Sequence, residues 1–130
     1  MRRPLLALLL AGCDAGPPSG PVPYAEADPK PVAVGGWGAF AATVEYPEFA
    51  SRARIEGDVA TAFVVTADGE AGDVTIAESP NDLLSEAAVH AVRAAAYVPG
   101  EVAGRRVDVR TTLCVAFRLG DGITAAPCER

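Results

Sequence analysis

The sequence predicts a small α+β domain: an antiparallel three-stranded sheet packed with two helices, with the C-terminal tail as a candidate fourth strand. Three observations carry that expectation. Apolar residues alternate with polar or small ones over 59–65 and again over 107–119, the two-residue period of a half-buried strand. Between them, Leu84, Ala88, Ala91, Val92 and Ala95 recur at helical spacing. Among 130 residues, 50% are hydrophobic and 22% charged, which suits one domain of about 75 to 110 residues plus a tail.

In chain order, residues 1–12 read as a leader. Arg2 and Arg3 form a positive start, Leu5 to Leu10 an apolar run, and Ala11-Gly12 a small-residue cleavage site. Leu10-Ala11-Gly12-Cys13 resembles a bacterial lipobox, which makes Cys13 the expected lipidated residue and the anchor to a membrane. Asp14 directly after it favours the inner membrane. Losing residues 1–12 removes two arginines and takes the formal charge from −6 to −8. Residues 13–45 then read as a Pro/Gly/Ala-rich linker, with prolines at 17, 18, 21, 23, 29 and 31 that favour an extended tether.

From 46 the pattern is regular. Tyr46-Pro47, with Phe49, Ala50, Ala53 and Ile55 before Gly57, predicts a short helix over 47–55 with Pro47 in its first position. Val59, Thr61, Phe63 and Val65 predict a strand, Asp68-Gly69 a hairpin turn, and Val74 and Ile76 the return strand. Ser79-Pro80-Asn81-Asp82 predicts a helix start with Ser79 as N-cap. Pro99-Gly100 ends that segment, and Val107, Val109, Thr111, Leu113, Val115, Phe117 and Leu119 line the inner face of the last strand.

Residues 120–130 are a tail or an extra strand. A three-residue loop at Gly120-Asp121-Gly122 would pair Leu119 with Ile123 and, counting outward, Cys114 with Cys128. Cross-strand neighbours on one face lie near disulfide distance, and with Cys13 lipidated these are the two remaining cysteines. A Cys114–Cys128 bond would pin the tail over the edge of the last strand.

Several function classes are disfavoured. A net charge of −6 and a pI near 4.7 give no general nucleic-acid-binding surface. No stretch reaches the roughly 18 apolar residues that span a bilayer. His90 falls opposite the apolar helix face, without the second His or Cys pair that a metal site needs. Ser79 and Ser85 lack a patterned base and orienting acid, so no catalytic group is assigned and no cofactor is expected.

Taken together, Tyr46-Pro47, Arg54-Ile55-Glu56-Gly57, Val65-Thr66-Ala67-Asp68-Gly69, Glu86-Ala87-Ala88, Tyr97-Val98-Pro99-Gly100 and Phe117-Arg118-Leu119 resemble the C-terminal domain of the TonB energy transducer over 46–119. The resemblance implies a non-catalytic periplasmic module that binds an envelope protein, such as the TonB box of an outer-membrane receptor, by β-strand addition beside the last strand. Carried over by position, it assigns partner contacts to Tyr46, Pro47, Val107, Val109, Arg110, Thr112, Ala116 and Arg118. Two other readings stand beside it: an energy transducer whose true start lies upstream, and a structural lipoprotein whose tail seals the sheet edge. An open edge would also allow a strand-swapped homodimer.

Overall fold

The ten-residue run Val109–Arg118 alternates so strictly that its inward residues Val109, Thr111, Leu113, Val115 and Phe117 are all buried while the residues between them face outward. In the computed structural model, which describes residues 20–128, this run is β7 and lies inside a four-stranded antiparallel sheet. The sheet order is β3 (Ala71–Glu78), β2 (Gly57–Val65), β7, β8 (Gly122–Pro127). Two short ribbons flank it: β1 (Val32–Ala33) with β4 (Tyr97–Val98), and β5 (Gly100–Val102) with β6 (Arg105–Val107). Three α-helices complete the fold among the described residues: α1 (Trp37–Thr43), α2 (Glu48–Arg52) and α3 (Asp82–Ala94).

The main core lies between the inner sheet face and the helices. Val59, Phe63 and Val65 of β2 meet Leu113, Val115 and Phe117 of β7, and Leu84, Ala88 and Val92 of α3 close over them. Each such aliphatic or aromatic side chain contributes about 1.5–3 kcal/mol on burial. Tyr97 joins this core with its ring against Phe63 (centroids 5.5 Å) and its hydroxyl donating to the Val92 carbonyl at 2.7 Å. A second, smaller cluster gathers Val22, Ala27, Val107 and Val109 at one end of the sheet.

The α+β class and the strand, hairpin and α3 assignments hold. Several details differ. The 47–55 helix is shorter: Pro47 is its extended N-cap rather than its first residue, and α2 ends at Arg52, with Arg54 at a φ of 58°. Asn81, not Ser79, caps α3; its side chain accepts from the Leu83 N–H at 2.7 Å, while Ser79 hydrogen-bonds to the Asn81 backbone. Asn81 is extended, which moves the helix start past Pro80. The last strand also breaks. Arg105–Val107 turns back on Gly100–Val102 through Ala103-Gly104, both at positive φ as a two-residue hairpin of the primed type requires.

The largest correction concerns the expected linker. Residues 20–45 pack on the domain. Val22 pairs with β7, Ala27 and Pro31 are buried, β1 pairs with β4, and α1 inserts Phe40 into the core. Proline removes only its own N–H and tolerates extended surface paths, so the non-proline residues between can still pair and bury.

The tail is a strand, but in a different register. Phe117 lies opposite Ile123 and Cys114 opposite Ala126, a shift of two residues from the expected pairing. The loop is Leu119-Gly120-Asp121, and Gly122 takes a φ of 86° as it starts the return strand. A two-residue shift keeps every side chain on its expected face, so Ile123 still packs against the core.

Replacing fully buried Phe117 by Ala should lower stability by about 3–5 kcal/mol, read as a fall in urea midpoint with unchanged slope. Burial also raises the Tyr97 phenol well above its usual value of 10.0. Its pKa is higher folded than unfolded, so stability is full below pH 10 and falls above it, by up to about 1.4 kcal/mol per pH unit. Between pH 8 and pH 11 the thermal midpoint should fall further for the native chain than for Tyr97→Phe.

Candidate functional site

β7 carries most of the residues that the sequence assigns to a partner, so the state of its two sides decides what it can bind. One side pairs with β2 from Gly57–Phe117 to Val65–Val109. The other is met by both ends of the chain. β8 covers residues 113–118, the Cys128 N–H donates to the Thr112 carbonyl at 2.8 Å, and Val22 covers the rest. The Val22 N–H donates to the Asp108 carbonyl at 2.9 Å, and its own carbonyl accepts from the Arg110 N–H at 2.8 Å. From Asp108 to Arg118, the outer side of β7 is therefore filled.

A disulfide fastens this arrangement. Cys114 and Cys128 are bonded, with their Cα atoms 5.3 Å apart and a sequence separation of 14. Cys128 lies opposite Thr112, so the bond runs diagonally between neighbouring rows of the β7–β8 pair. Closing a loop of this size is worth about 3 kcal/mol in the chain-entropy account.

The assigned side chains divide into four groups. Val107 and Val109 are buried in the small cluster beneath Val22 and serve as core. Arg110 and Thr112 face the outer side of the sheet, where they and Cys128 line a groove of about 590 Å³ walled by Pro21, Pro23 and Tyr24. Tyr46, Ala116 and Arg118 gather at the far end of β7. The Tyr46 ring packs edge-to-face on Phe117 (5.5 Å, 87°), and its hydroxyl donates to the Ile55 carbonyl. Partial burial, and next the Glu56 charge, raise its phenol pKa, opposed by Arg118. Arg118 pairs with Asp58 at 2.8 Å, an exposed pair worth about 0–1 kcal/mol. Pro47 lines a second groove with Thr43, Leu83 and Glu86.

Three features escaped the sequence reading. Phe49 was placed on the helix's apolar pattern, yet it is 71% exposed two residues from Pro47. Val22 pairs with β7 although it is flanked by Pro21 and Pro23; an aliphatic residue between prolines is a signature of an edge segment. Asp108 breaks the strand: its carboxylate accepts from the Ala67 N–H at 2.8 Å and ties the β2–β3 turn to the start of β7. His90 is exposed, and among the described residues no three metal-ligating side chains converge. Cys13 and Asp14 lie outside the described residues.

The model of the family described as Gram-negative bacterial TonB protein C-terminal matches residues 42–119. The chain belongs to the TonB C-terminal family. Among curated proteins, none matches the chain. The family match covers α2, the β2–β3 hairpin, α3 and all of β7, and stops one residue beyond it. Both elements that fill the outer side of β7, Val22 and β8, fall outside that span. No helix among the described residues is long and apolar enough to cross a membrane.

Tyr46→Phe keeps the ring on Phe117 and removes only the bond to the Ile55 carbonyl. It should cost about 0.5–1.5 kcal/mol, whereas Tyr46→Ala, which also removes the half-buried ring from Phe117, should cost more, up to about 3 kcal/mol by chemical denaturation.

Proposed function

We propose that this chain is a non-catalytic periplasmic protein-binding module that captures an extended segment of an envelope protein, of the TonB-box kind, by strand addition to β7. β8 is the occupant that the segment replaces. The observation that carries this reading is the nature of β8 itself. It is a six-residue extended segment lying antiparallel on the outer side of β7, and its residues alternate between exposed and half-buried, with none fully buried. Gly122, Thr124, Ala125 and Ala126 offer little side-chain surface, so main-chain pairing does most of the holding. An edge that accepts such a strand in cis has the geometry to accept one in trans.

Tyr46 lies against Phe117 near the β8 end of β7, with Pro47 and exposed Phe49 next to it in sequence, and these residues supply apolar contacts for an incoming segment that the backbone alone would not discriminate. Membership of the TonB C-terminal family supports the periplasmic location. Cys13 is the proposed lipid anchor, with Asp14 directing it to the inner membrane. A second reading has its own support: because Val22, β8 and the disulfide together fill the outer side of β7, the module could serve as a structural lipoprotein with a sealed edge.

The two readings separate in one titration. The test uses the chain ending at Gly120, isotope-labelled, and a synthetic peptide of residues 121–128 carrying Cys128→Ser. Amide shifts over Val109–Arg118 and around Tyr46, reversed by receptor-derived TonB-box peptides competing for the same place, are the expected outcome. Shifts from the tail peptide that no TonB-box peptide reverses would sink the binding reading and leave the sealed-edge one.

A further inference from the structure

We propose that the Cys114–Cys128 disulfide is an exchangeable latch: an envelope dithiol reductant reaches it through the groove on the outer sheet face, and reduction releases β8 from β7. The inference rests on the strand-addition reading and adds its control.

Three observations support it. First, the latch holds a lightly buried edge strand, which otherwise rests on its pairing with β7 and on α1. β8 buries no residue fully; only Ile123 and Ala125 touch the main core. By contrast, β7 keeps nine register pairs with β2 and a row of fully buried side chains. Segments with few buried apolar contacts open first and separately from the rest of a fold. Cutting the bond therefore loosens β8 and leaves the domain standing.

Second, the bond is reachable. Cys114 and Cys128 are both partly exposed, and Cys128 lines the groove of about 590 Å³ on the face away from the main core. That groove is walled by Pro21, Pro23 and Tyr24 and floored by Ala62 and Thr112. Third, its chemistry suits the exchange. Arg110 lines the same groove and is exposed, so the groove that an attacking thiolate would enter carries a cation as well as the acid Asp73. A nearby cation draws in the anion and stabilises the thiolates that the reaction releases.

The step balances as ordinary thiol–disulfide exchange. One thiolate of the dithiol attacks Cys128 Sγ; the Cys114–Cys128 bond breaks, and its electron pair goes to Cys114 Sγ, which takes a proton. The reductant's second thiol, on losing its proton, attacks the mixed disulfide and frees Cys128 Sγ, which is protonated in turn. Two electrons and two protons pass to the protein, and the reductant leaves as a disulfide.

The test uses the full chain, oxidised and after dithiothreitol, together with the C114S/C128S double variant. Hydrogen exchange at Ile123–Ala126 and Cys128 should speed by about tenfold on reduction, while the amides of β2 keep their protection. The peptide of residues 121–128 carrying Cys128→Ser should bind the reduced chain and the double variant at least about tenfold more tightly than the oxidised chain, since only the open fraction is competent. In Arg110→Glu, reduction by glutathione should slow by about fivefold; an unchanged rate would overturn the groove as the route. Equal exchange in oxidised and reduced chains would overturn the latch. So would equal peptide affinity in the two states, and the binding reading would then survive. Absence of binding to the chain ending at Gly120 would instead strike the binding reading itself.

Discussion

Everything in this fold depends on β7 being paired along both sides. Its inner face supplies Leu113, Val115 and Phe117 to the core, and its backbone supplies hydrogen bonds in two directions. A strand buried on one face cannot leave a long row of N–H and C=O groups open without inviting another chain to pair with it. β2 satisfies one side through the hairpin that the family shares. The other side is satisfied by two unrelated pieces of chain, Val22 from the N-terminal side and β8 from the C-terminal side. Each piece is weak alone. Val22 makes an isolated bridge between two prolines, and β8 is six residues with small side chains. The disulfide adds to what holds the second of them, by shrinking the freedom of the detached tail.

Elements whose periodicity is long and strict were legible in the sequence: β2, the return strand, α3 and most of β7. Burial follows the pattern at Val59, Thr61, Phe63 and Val65 and from Leu84 to Val92, although Ala60 is buried as well and Ile76 of β3 stays exposed. Elements that depend on a single local choice were not legible. Whether Ser79 or Asn81 caps α3 turns on where the chain stops being extended, and both residues are good caps. The β7–β8 register turns on which glycine takes the left-handed conformation, and Gly120 and Gly122 are both available to do so. The Cys114–Cys128 pairing was nonetheless anticipated, because a two-residue slip keeps the face and leaves the cysteines within reach as diagonal neighbours.

The N-terminal segment shows a different limit. Its prolines describe how the backbone can bend, not whether the residues between them are needed. Val22, Ala27, Pro31 and Phe40 each fill a place that the regular elements leave open, and a scatter of single apolar residues has no period to detect. The candidate site was half legible for the same reason. The strand that carries Arg110, Thr112, Ala116 and Arg118 is plain in the sequence, but the occupant of its outer side comes from outside the family's span.

A strand that covers its own binding edge lowers the apparent affinity of any competitor by the fraction of molecules in which the edge is open. That penalty is only useful if something can remove it, and otherwise it reduces to protection against pairing with the wrong chain. The placement of the bond favours the proposed gate. A staple serving stability alone gains most from tying distant parts of the core together. Here it joins β7 to an edge strand that has no fully buried residue, on the face away from the main core, beside a groove lined by Arg110. A bond in that position controls one strand and little else, which is what a gate on the β7 edge requires.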